Sequence, residues 1–176
     1  MKRLLIVVDF QNDFVDGSLG FKDAHYIEDT IIHLIQDYEN HQDEIIYTMD
    51  THPQDYLNTY EGKHLPIEHC IINTQGWQLY GQVKDLLKDK RCFLKPTFPS
   101  LDLANYLKDQ TYESITLVGL VSHICVLSNA IMAKAACPNT PIRIIMDATD
   151  SFDKETQQKS IDVMKSMQIE IIEKGY

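Results

Sequence analysis

Cys125 is the side chain in this sequence best placed to act as a nucleophile. It follows residues 114–119, a short apolar run typical of a buried strand, and the chain then turns at once into a helix-forming stretch that runs to about Ala136. Cys125 is therefore expected in the first turn of a helix, where free N–H groups favour an anion and lower a thiol pKa from about 8.5 towards neutrality. A lone cysteine is also commonly a small buried hydrophobe, so the rest of the chain must decide.

Reactive side chains follow three further apolar runs. They are Asp9 at the end of residues 3–9, Asp50 and His52 after residues 44–49, and Lys95 after residues 91–94. In open parallel sheets, ligands bind beyond the carboxyl ends of the strands, where the strand order reverses. If the order is 3-2-1-4-5-6, this point lies between strands one and four and places Asp9 beside Cys125. Each residue alone could be an ordinary loop or surface residue, but together they indicate a site.

Strands and helices alternate along the chain. The predicted strands are residues 3–9, 44–49, 91–94, 115–120, 141–146 and 169–172, and the predicted helices are residues 26–38, 79–87, 101–107, the Cys125 helix to residue 136, and 154–167. Such alternation implies right-handed crossovers and a parallel sheet covered by helices on both faces. The predicted fold is a three-layer α/β/α domain with a six-stranded, mainly parallel sheet.

The composition is that of a soluble globular protein. With 176 residues, of which 44% are hydrophobic and 24% charged, we expect one domain over residues 1–176. A net charge of −10 argues against nucleic-acid binding, and no apolar run approaches the roughly 18 residues that span a bilayer. The four cysteines show no CxxC spacing and no signal peptide is evident, so we expect no disulfides and a cytoplasmic location.

Residues 51–76 form a long segment without convincing periodicity, rich in His, Pro, Asp and Gly. A loop of this length in a compact domain is usually functional or disordered. Asp50 and His52 stand at alternate positions past a strand end, so both can reach one ion, and His69 can return from the far end of the loop to join them. Ordinary hydrogen bonds could also hold these histidines, and the residues alone leave both interpretations open.

The motifs resemble those of the isochorismatase-like cysteine hydrolases, whose best-studied members are nicotinamidases. Five segments carry the resemblance in the family's order: residues 9–14 (DFQNDF), 50–52 (DTH), 69–76 (HCIINTQG), 95–100 (KPTFPS) and 119–126 (GLVSHICV). The resemblance implies Cys125 as nucleophile, Asp9 as general base and acid, and Lys95 as the cation between them. It also implies an oxyanion hole made by the backbone N–H groups of Val121 and Cys125, with a cis peptide bond before Val121.

A metal ion and oligomeric assembly are implied in the same way. A divalent ion, zinc, manganese or iron, is expected on Asp50, His52 and His69, with weaker support for Glu61 as a fourth ligand. A homodimer or homotetramer is also expected by resemblance.

The substrate pocket is expected to include Phe14, Leu65 and His123. The chain departs from the family there, because Ser122-His123 replaces a Thr-Asp pair and the segment before His69 lacks an aromatic residue that many nicotinamidases have. These departures leave the reaction class intact and place the substrate in question.

Three hypotheses about function follow. The first is a cysteine amidohydrolase that cleaves a small-molecule amide through a thioester, with nicotinamide as the first candidate. The second is a metal-free relative that acts on a ureido or carbamoyl group, in which Asp50, His52 and His69 only brace the loop. The third is a non-catalytic α/β domain that binds a small anion or nucleotide in the same crevice.

Overall fold

A six-stranded parallel sheet forms the centre of the computed structural model, which describes residues 1–173. The strands are β1 (Leu4–Val8), β2 (Glu44–Asp50), β3 (Arg91–Lys95), β4 (Ile115–Leu120), β5 (Ile142–Asp150) and β6 (Glu170–Ile172). They lie in the order β3-β2-β1-β4-β5-β6, and every neighbouring pair is parallel. The predicted strand order and fold class are confirmed.

Helices cover both faces of the sheet. They are α1 (Asn12–Val15), α2 (Glu28–Asn40), α3 (Tyr60–His64), α4 (Val83–Leu87), α5 (Leu101–Leu107), α6 (Leu127–Ala136) and α7 (Lys154–Ser166). Successive residues of the fully buried strand β1 point to opposite faces, towards α1, α2 and α4 on one side and α5, α6 and α7 on the other. No helix among residues 1–173 is long and apolar enough to cross a membrane.

Helix α2 shows how the sequence pattern produces these layers. Ile31, Leu34, Ile35 and Tyr38 recur at helical spacing and are all buried against the sheet. Burial of each large apolar side chain contributes about 1.5–3 kcal/mol, which stabilises the helix in its place. Helix α5 begins as predicted, because the Ser100 hydroxyl accepts a hydrogen bond from the Leu103 N–H at 3.1 Å.

The predicted helix over residues 79–87 is wrong in its first half. Leu79 forms a bridge with Gln11, and the Tyr80 N–H donates to the Phe10 carbonyl at 2.9 Å. Gly81 then adopts a φ of +53°, so the helix begins only at Val83. The segment predicted to be helical is instead bonded to the chain that follows β1.

Candidate active site

The residues predicted to be reactive meet at the carboxyl edge of the sheet. Asp9 follows β1 and Cys125 follows β4, its neighbour, while Lys95 ends β3. Close approach of β1 and β4 requires Gly119, because a Cβ there would lie 2.0 Å from the Val8 carbonyl oxygen. Asp9 itself has a left-handed φ of 45°, a backbone conformation that tends to mark functional sites.

Lys95 joins the carboxylate to the thiol, and we call Asp9, Lys95 and Cys125 the thiol cluster. Lys95 Nζ lies 2.6 Å from Asp9 Oδ2 and 3.6 Å from Cys125 Sγ. Asp9 Oδ1 accepts a hydrogen bond from the Thr48 hydroxyl at 2.6 Å. Asp9 Oδ2 accepts none from a hydroxyl or amide in residues 1–173, so this oxygen is the one available to take the thiol proton.

The electrostatics of the thiol cluster differ from the expectation for a helix N-terminus. Burial raises the pKa of the Cys125 thiol well above its usual value, and the Lys95 ammonium only partly offsets this. Burial also raises the pKa of Asp9, against the lowering effect of Lys95. The prediction of a lowered thiol pKa is therefore wrong, because the effect of burial outweighs that of the Lys95 ammonium.

Cys125 stands in a π-helical turn, residues 122–126, that precedes α6. The Val126 N–H donates to the Val121 carbonyl at 3.2 Å and closes this wide turn. The cis peptide expected before Val121 is present, between Leu120 and Val121. No acceptor in residues 1–173 takes a hydrogen bond from the Val121 N–H, and Val121 and Cys125 both line the cavity described below. This leaves the Val121 N–H free for the oxyanion role predicted for it.

Four potential metal ligands lie next to the thiol cluster, and we call Asp50, His52, Glu61 and His69 the donor cluster. Their ligand atoms all lie within 4.8 Å of one another. Asp50 Oδ2 is 3.0 Å from His52 Nε2 and 3.5 Å from His69 Nε2, and Glu61 Oε1 is 3.7 Å from both nitrogens. Asp50 Oδ1 faces the other way, 3.1 Å from Lys95 Nζ, and so connects the two clusters.

The donor cluster fits a divalent ion. Ligands bound to one zinc ion at about 2.1 Å stand roughly 3.0–3.5 Å apart, close to the separations present here. His69 Nδ1 lies 2.8 Å from the Ile67 carbonyl, so this nitrogen carries the hydrogen and Nε2 is left to bind a metal. Burial raises the pKa of Glu61, and the negative charge of Asp50 raises it further. A bound cation would relieve the repulsion between these two carboxylates.

Two buried side chains, Gln11 and Tyr56, and the half-buried Asp13 hold the donor cluster in place, and the sequence analysis identified none of them as site residues. Gln11 accepts from the Asp50 N–H at 2.8 Å and donates to the Asp50 and Trp77 carbonyls at 2.9 and 2.7 Å. Asp13 accepts from the Cys70 N–H at 2.7 Å. The Tyr56 ring packs against the rings of both His52 and His69, with centroids 4.7 and 5.0 Å away. Gln11 and Asp13 belong to the DFQNDF segment, whose polar residues were the available signal.

A cavity of about 390 Å³ opens above both clusters. It is lined by Phe14, Ser18, Leu19, Gly20, Asp50, Glu61, Leu65, His69, Phe98, Val121, Ile124, Cys125 and Phe152. Phe14 and Leu65 thus lie where a substrate pocket was predicted. His123 does not line the cavity, because its ring packs behind Phe152 and its Nδ1 lies 2.7 Å from the Ser151 hydroxyl. Its neighbour Ile124 faces the cavity instead.

Residues 3–174 match the family profile of the isochorismatase domain. The chain belongs to the isochorismatase family. Among family relatives, the nicotinamidase of Saccharomyces cerevisiae is 26% identical over 216 residues, covering 98% of this chain and 100% of the relative.

Solved isochorismatase-fold structures agree closely with this chain. The nicotinamidase PncA of Bacillus subtilis has a TM-score of 0.86 at 28% identity and is covered over 98% of this chain and 100% of its own. The pyrazinamidase of Pyrococcus horikoshii in complex with zinc has a TM-score of 0.85 at 25% identity, with 98% and 99% coverage.

Proposed function

We propose that this protein is a cysteine amidohydrolase that converts nicotinamide to nicotinate and ammonia. The observation that carries the proposal is the thiol cluster at the floor of an apolar cavity, with the Lys95 ammonium 2.6 Å from Asp9 and 3.6 Å from Cys125. A binding domain has no need of a buried acid, cation and thiol in contact. The nicotinamidases and the pyrazinamidase among its relatives act on amides of this kind.

The first half of the reaction forms a thioester on Cys125. Asp9, made more basic by burial, takes the thiol proton as Sγ attacks the amide carbon. The N–H groups of Val121 and Cys125 hold the developing oxyanion, each contributing about 3–4 kcal/mol to the stability of the transition state. Asp9 then donates its proton to the leaving nitrogen, so ammonia departs and the acyl group stays on sulfur.

The second half releases the acid. Asp9, again a carboxylate, takes a proton from water as the water oxygen attacks the thioester carbon. The C–S bond breaks, and Asp9 returns the proton to the Cys125 thiolate. Lys95 stays charged throughout, since burial alone would lower its pKa but Asp9, Cys125 and Asp50 together raise that pKa well above its usual value.

Asp50, His52, Glu61 and His69 would hold a divalent ion at the side of the cavity. When bound, the ion supplies a Lewis acid that can bind the ring nitrogen of a heteroaromatic amide. The zinc in the pyrazinamidase of Pyrococcus horikoshii supports a metal of this class. His69 and Asp50 stay oriented by their contacts with Ile67 and Gln11.

The cavity lining favours a neutral, aromatic substrate. Phe14, Phe98 and Phe152 contribute three rings, and no lysine or arginine lines the cavity among the described residues. A ureido or carbamoyl acid would bring a carboxylate into a cavity that holds Asp50 and Glu61 without a cation to pair with it. In the metal-free alternative, the charge of the cavity therefore opposes binding of a ureido or carbamoyl acid, which favours nicotinamide.

The test is ammonia release from nicotinamide, pyrazinamide and a set of ureido acids, with and without added zinc, manganese or iron. We expect turnover of the two aromatic amides, dependence on metal, and an acyl adduct on Cys125 in rapidly quenched samples analysed by mass spectrometry. Turnover of ureido acids alone, without metal, would establish the alternative.

The proposal also covers the location of the protein in the cell and its subunit number. We propose a cytoplasmic homodimer or homotetramer, supported by the expected lack of disulfides and by resemblance to the family. Light scattering of the purified protein measures the subunit number directly.

A further inference from the structure

Phe152 occupies an unusual position for a large apolar side chain. It stands in the connection between β5 and α7, its side chain is 60% exposed, and it still lines the cavity above the thiol cluster. A single exposed phenylalanine needs no special explanation. The contacts around this one, however, fix its ring at the cavity mouth.

Two rings hold Phe152 edge-on from outside the cavity. The Phe21 ring lies 6.2 Å away at 72°, and the His123 ring lies 5.2 Å away at 74°, both favourable edge-to-face arrangements. Phe21 packs against the hydrophobic core, so it gives the pair a fixed base. Phe152 is therefore held in one position at the cavity mouth although its own surface is open to water.

Side-chain hydrogen bonds link this connection and the end of β5 to the turn that carries the nucleophile. His123 Nδ1 lies 2.7 Å from the hydroxyl of buried Ser151, which also accepts from the Asp153 N–H at 3.0 Å. One residue earlier, the Ser122 hydroxyl lies 3.0 Å from the Thr149 hydroxyl. Ser122 and His123 are the two positions at which the sequence departs from the family motif around the nucleophile. His123 contacts the connection that carries Phe152, and Ser122 contacts the end of β5 that leads into it.

We propose that Phe152 is a specificity-determining residue that forms the outer aromatic wall of the substrate cavity, and that His123 is a positioning residue for it. The inference rests on the proposed function and assigns the preference for planar aromatic amides to one wall of the cavity. Phe14 and Phe98 line other parts of the cavity, so a flat ring placed above Cys125 would meet Phe152 on the side open to solvent. An aliphatic amide would gain little from this wall.

The first test compares steady-state constants for nicotinamide and for propionamide. Phe152→Ala should raise KM for nicotinamide by about fivefold to tenfold with kcat changed less than about twofold, because the ring contact acts on binding. The KM for propionamide should stay within about twofold. Tyr26→Ala removes an aromatic side chain of similar exposure outside the cavity, and it should leave both constants unchanged.

A second readout does not require turnover. The rate of Cys125 alkylation is followed by mass spectrometry for N-phenyl iodoacetamide and for iodoacetamide, with the Cys125→Ala protein as the blank. Phe152→Ala should reduce the preference for the phenyl reagent by about fivefold. If the wild-type protein hydrolyses no amide, the proposed function fails while this ratio still tests the wall. An unchanged ratio together with an unchanged KM for nicotinamide would overturn the proposal.

Paired substitutions of His123 separate its ring from its hydrogen bond. His123→Phe keeps the contact with Phe152 and loses the bond to Ser151, whereas His123→Asn keeps a polar partner for Ser151 and loses the ring. A positioning role predicts an intermediate rise in KM for nicotinamide in both variants with little change in kcat. A fall in kcat with KM unchanged would assign His123 to the nucleophile turn and overturn its positioning role.

Discussion

The thiol cluster and the donor cluster meet at Asp50, but different parts of the fold position them. Each residue of the thiol cluster lies at or near the end of a sheet strand, and none is more than 5% exposed. The donor cluster takes Asp50 from the end of β2, whereas Glu61 and His69 come from the long segment between β2 and β3. The sheet fixes the first cluster, and the second depends on a loop being held in place.

The loop is held by side chains from the chain that follows β1. Gln11 bonds to the backbone of Asp50 and Trp77, and Asp13 bonds to the backbone of Cys70. Gly76 lies so close to Asp13 that a Cβ there would stand 2.1 Å from the carboxylate. The contrast teaches that the sheet places the proposed nucleophile and its partners, while the proposed metal site depends on a few contacts between one loop and the chain that follows β1. Substitutions should therefore abolish chemistry in one cluster and modulate it in the other.

Cys125→Ala should have the largest effect. Loss of the nucleophile removes the covalent route, so amide turnover should fall by at least about a thousandfold. The melting temperature should change little, because the substitution removes one small side chain. Cys92→Ala, at a half-buried thiol outside the site, is the matched control and should retain turnover. Residual activity above about one hundredth of the wild type would contradict the nucleophile assignment.

Lys95→Met should come next. It leaves Asp9 and Asp50 buried without their shared cation, which should cost about 3–5 kcal/mol of unfolding free energy. Lys95 lowers the pKa of the Cys125 thiol, so its loss should raise that pKa and shift alkylation by iodoacetamide to higher pH.

Turnover of Lys95→Met should fall by at least about a hundredfold. The ion pair with Lys95, which stabilises Asp9 as the carboxylate that accepts the thiol proton, is lost. Lys90→Met, which removes a partly exposed ion pair with Glu39, is the control for the loss of one lysine. Alkylation of Lys95→Met with the wild-type pH profile would show that Lys95 does not act on the thiol.

His52→Ala should separate the two clusters. It should lower bound metal well below one equivalent and slow amide hydrolysis by about ten- to a hundredfold, because one ligand is gone. Alkylation of Cys125 should proceed at the wild-type rate, since the thiol cluster is placed by the sheet. Metal analysis, turnover and alkylation are measured together, with exposed His64→Ala as the control.

Chelator treatment of the wild-type protein should reproduce the His52→Ala behaviour. An unchanged rate of hydrolysis after chelation and in His52→Ala would show that the reaction does not need a metal ion.

Glu61→Gln should have the smallest effect. Glu61 is the most exposed member of the donor cluster, with 16% of its side chain accessible, and it stands 3.7 Å from both histidine nitrogens. Loss of its charge should weaken metal retention by about tenfold in a chelator competition and leave turnover near normal at saturating metal. A loss of bound metal as large as that of His52→Ala would show that Glu61 contributes as much to metal binding as His52 does.

The sequence alone predicted the fold class, and it placed Asp9 beside Cys125 on an assumed strand order that the structure has. Both follow from general rules for parallel sheets, because strands ending in chemistry-bearing residues converge at one edge. A mainly parallel sheet followed from the alternation of strands and helices, and the buried face of α2 was visible in its apolar periodicity. These features depend on apolar periodicity and on the order of strands and helices, and both are visible in the amino-acid sequence.

Other features depended on contacts between distant segments. Residues 79–82 have helical spacing, but the bonds of Leu79 and Tyr80 to the chain after β1 keep this segment out of the helix. The direction of the Cys125 pKa followed from its burial, which the strand-helix pattern did not reveal. Tyr56 packs on two histidine rings of its own long segment, and Phe152 packs on rings from other parts of the chain. No spacing rule connects either residue to the site.

The enclosure of Lys95 makes it a reporter of core opening. Its side chain has no exposed surface, and acylating reagents attack only an uncharged amine that they can reach. Neighbouring lysines such as Lys90 should be labelled readily, whereas modification of Lys95 requires the strand ends around it to separate. The labelling rate of this one amine, measured by peptide mapping, therefore counts how often the carboxyl edge of the sheet around the thiol cluster opens to solvent.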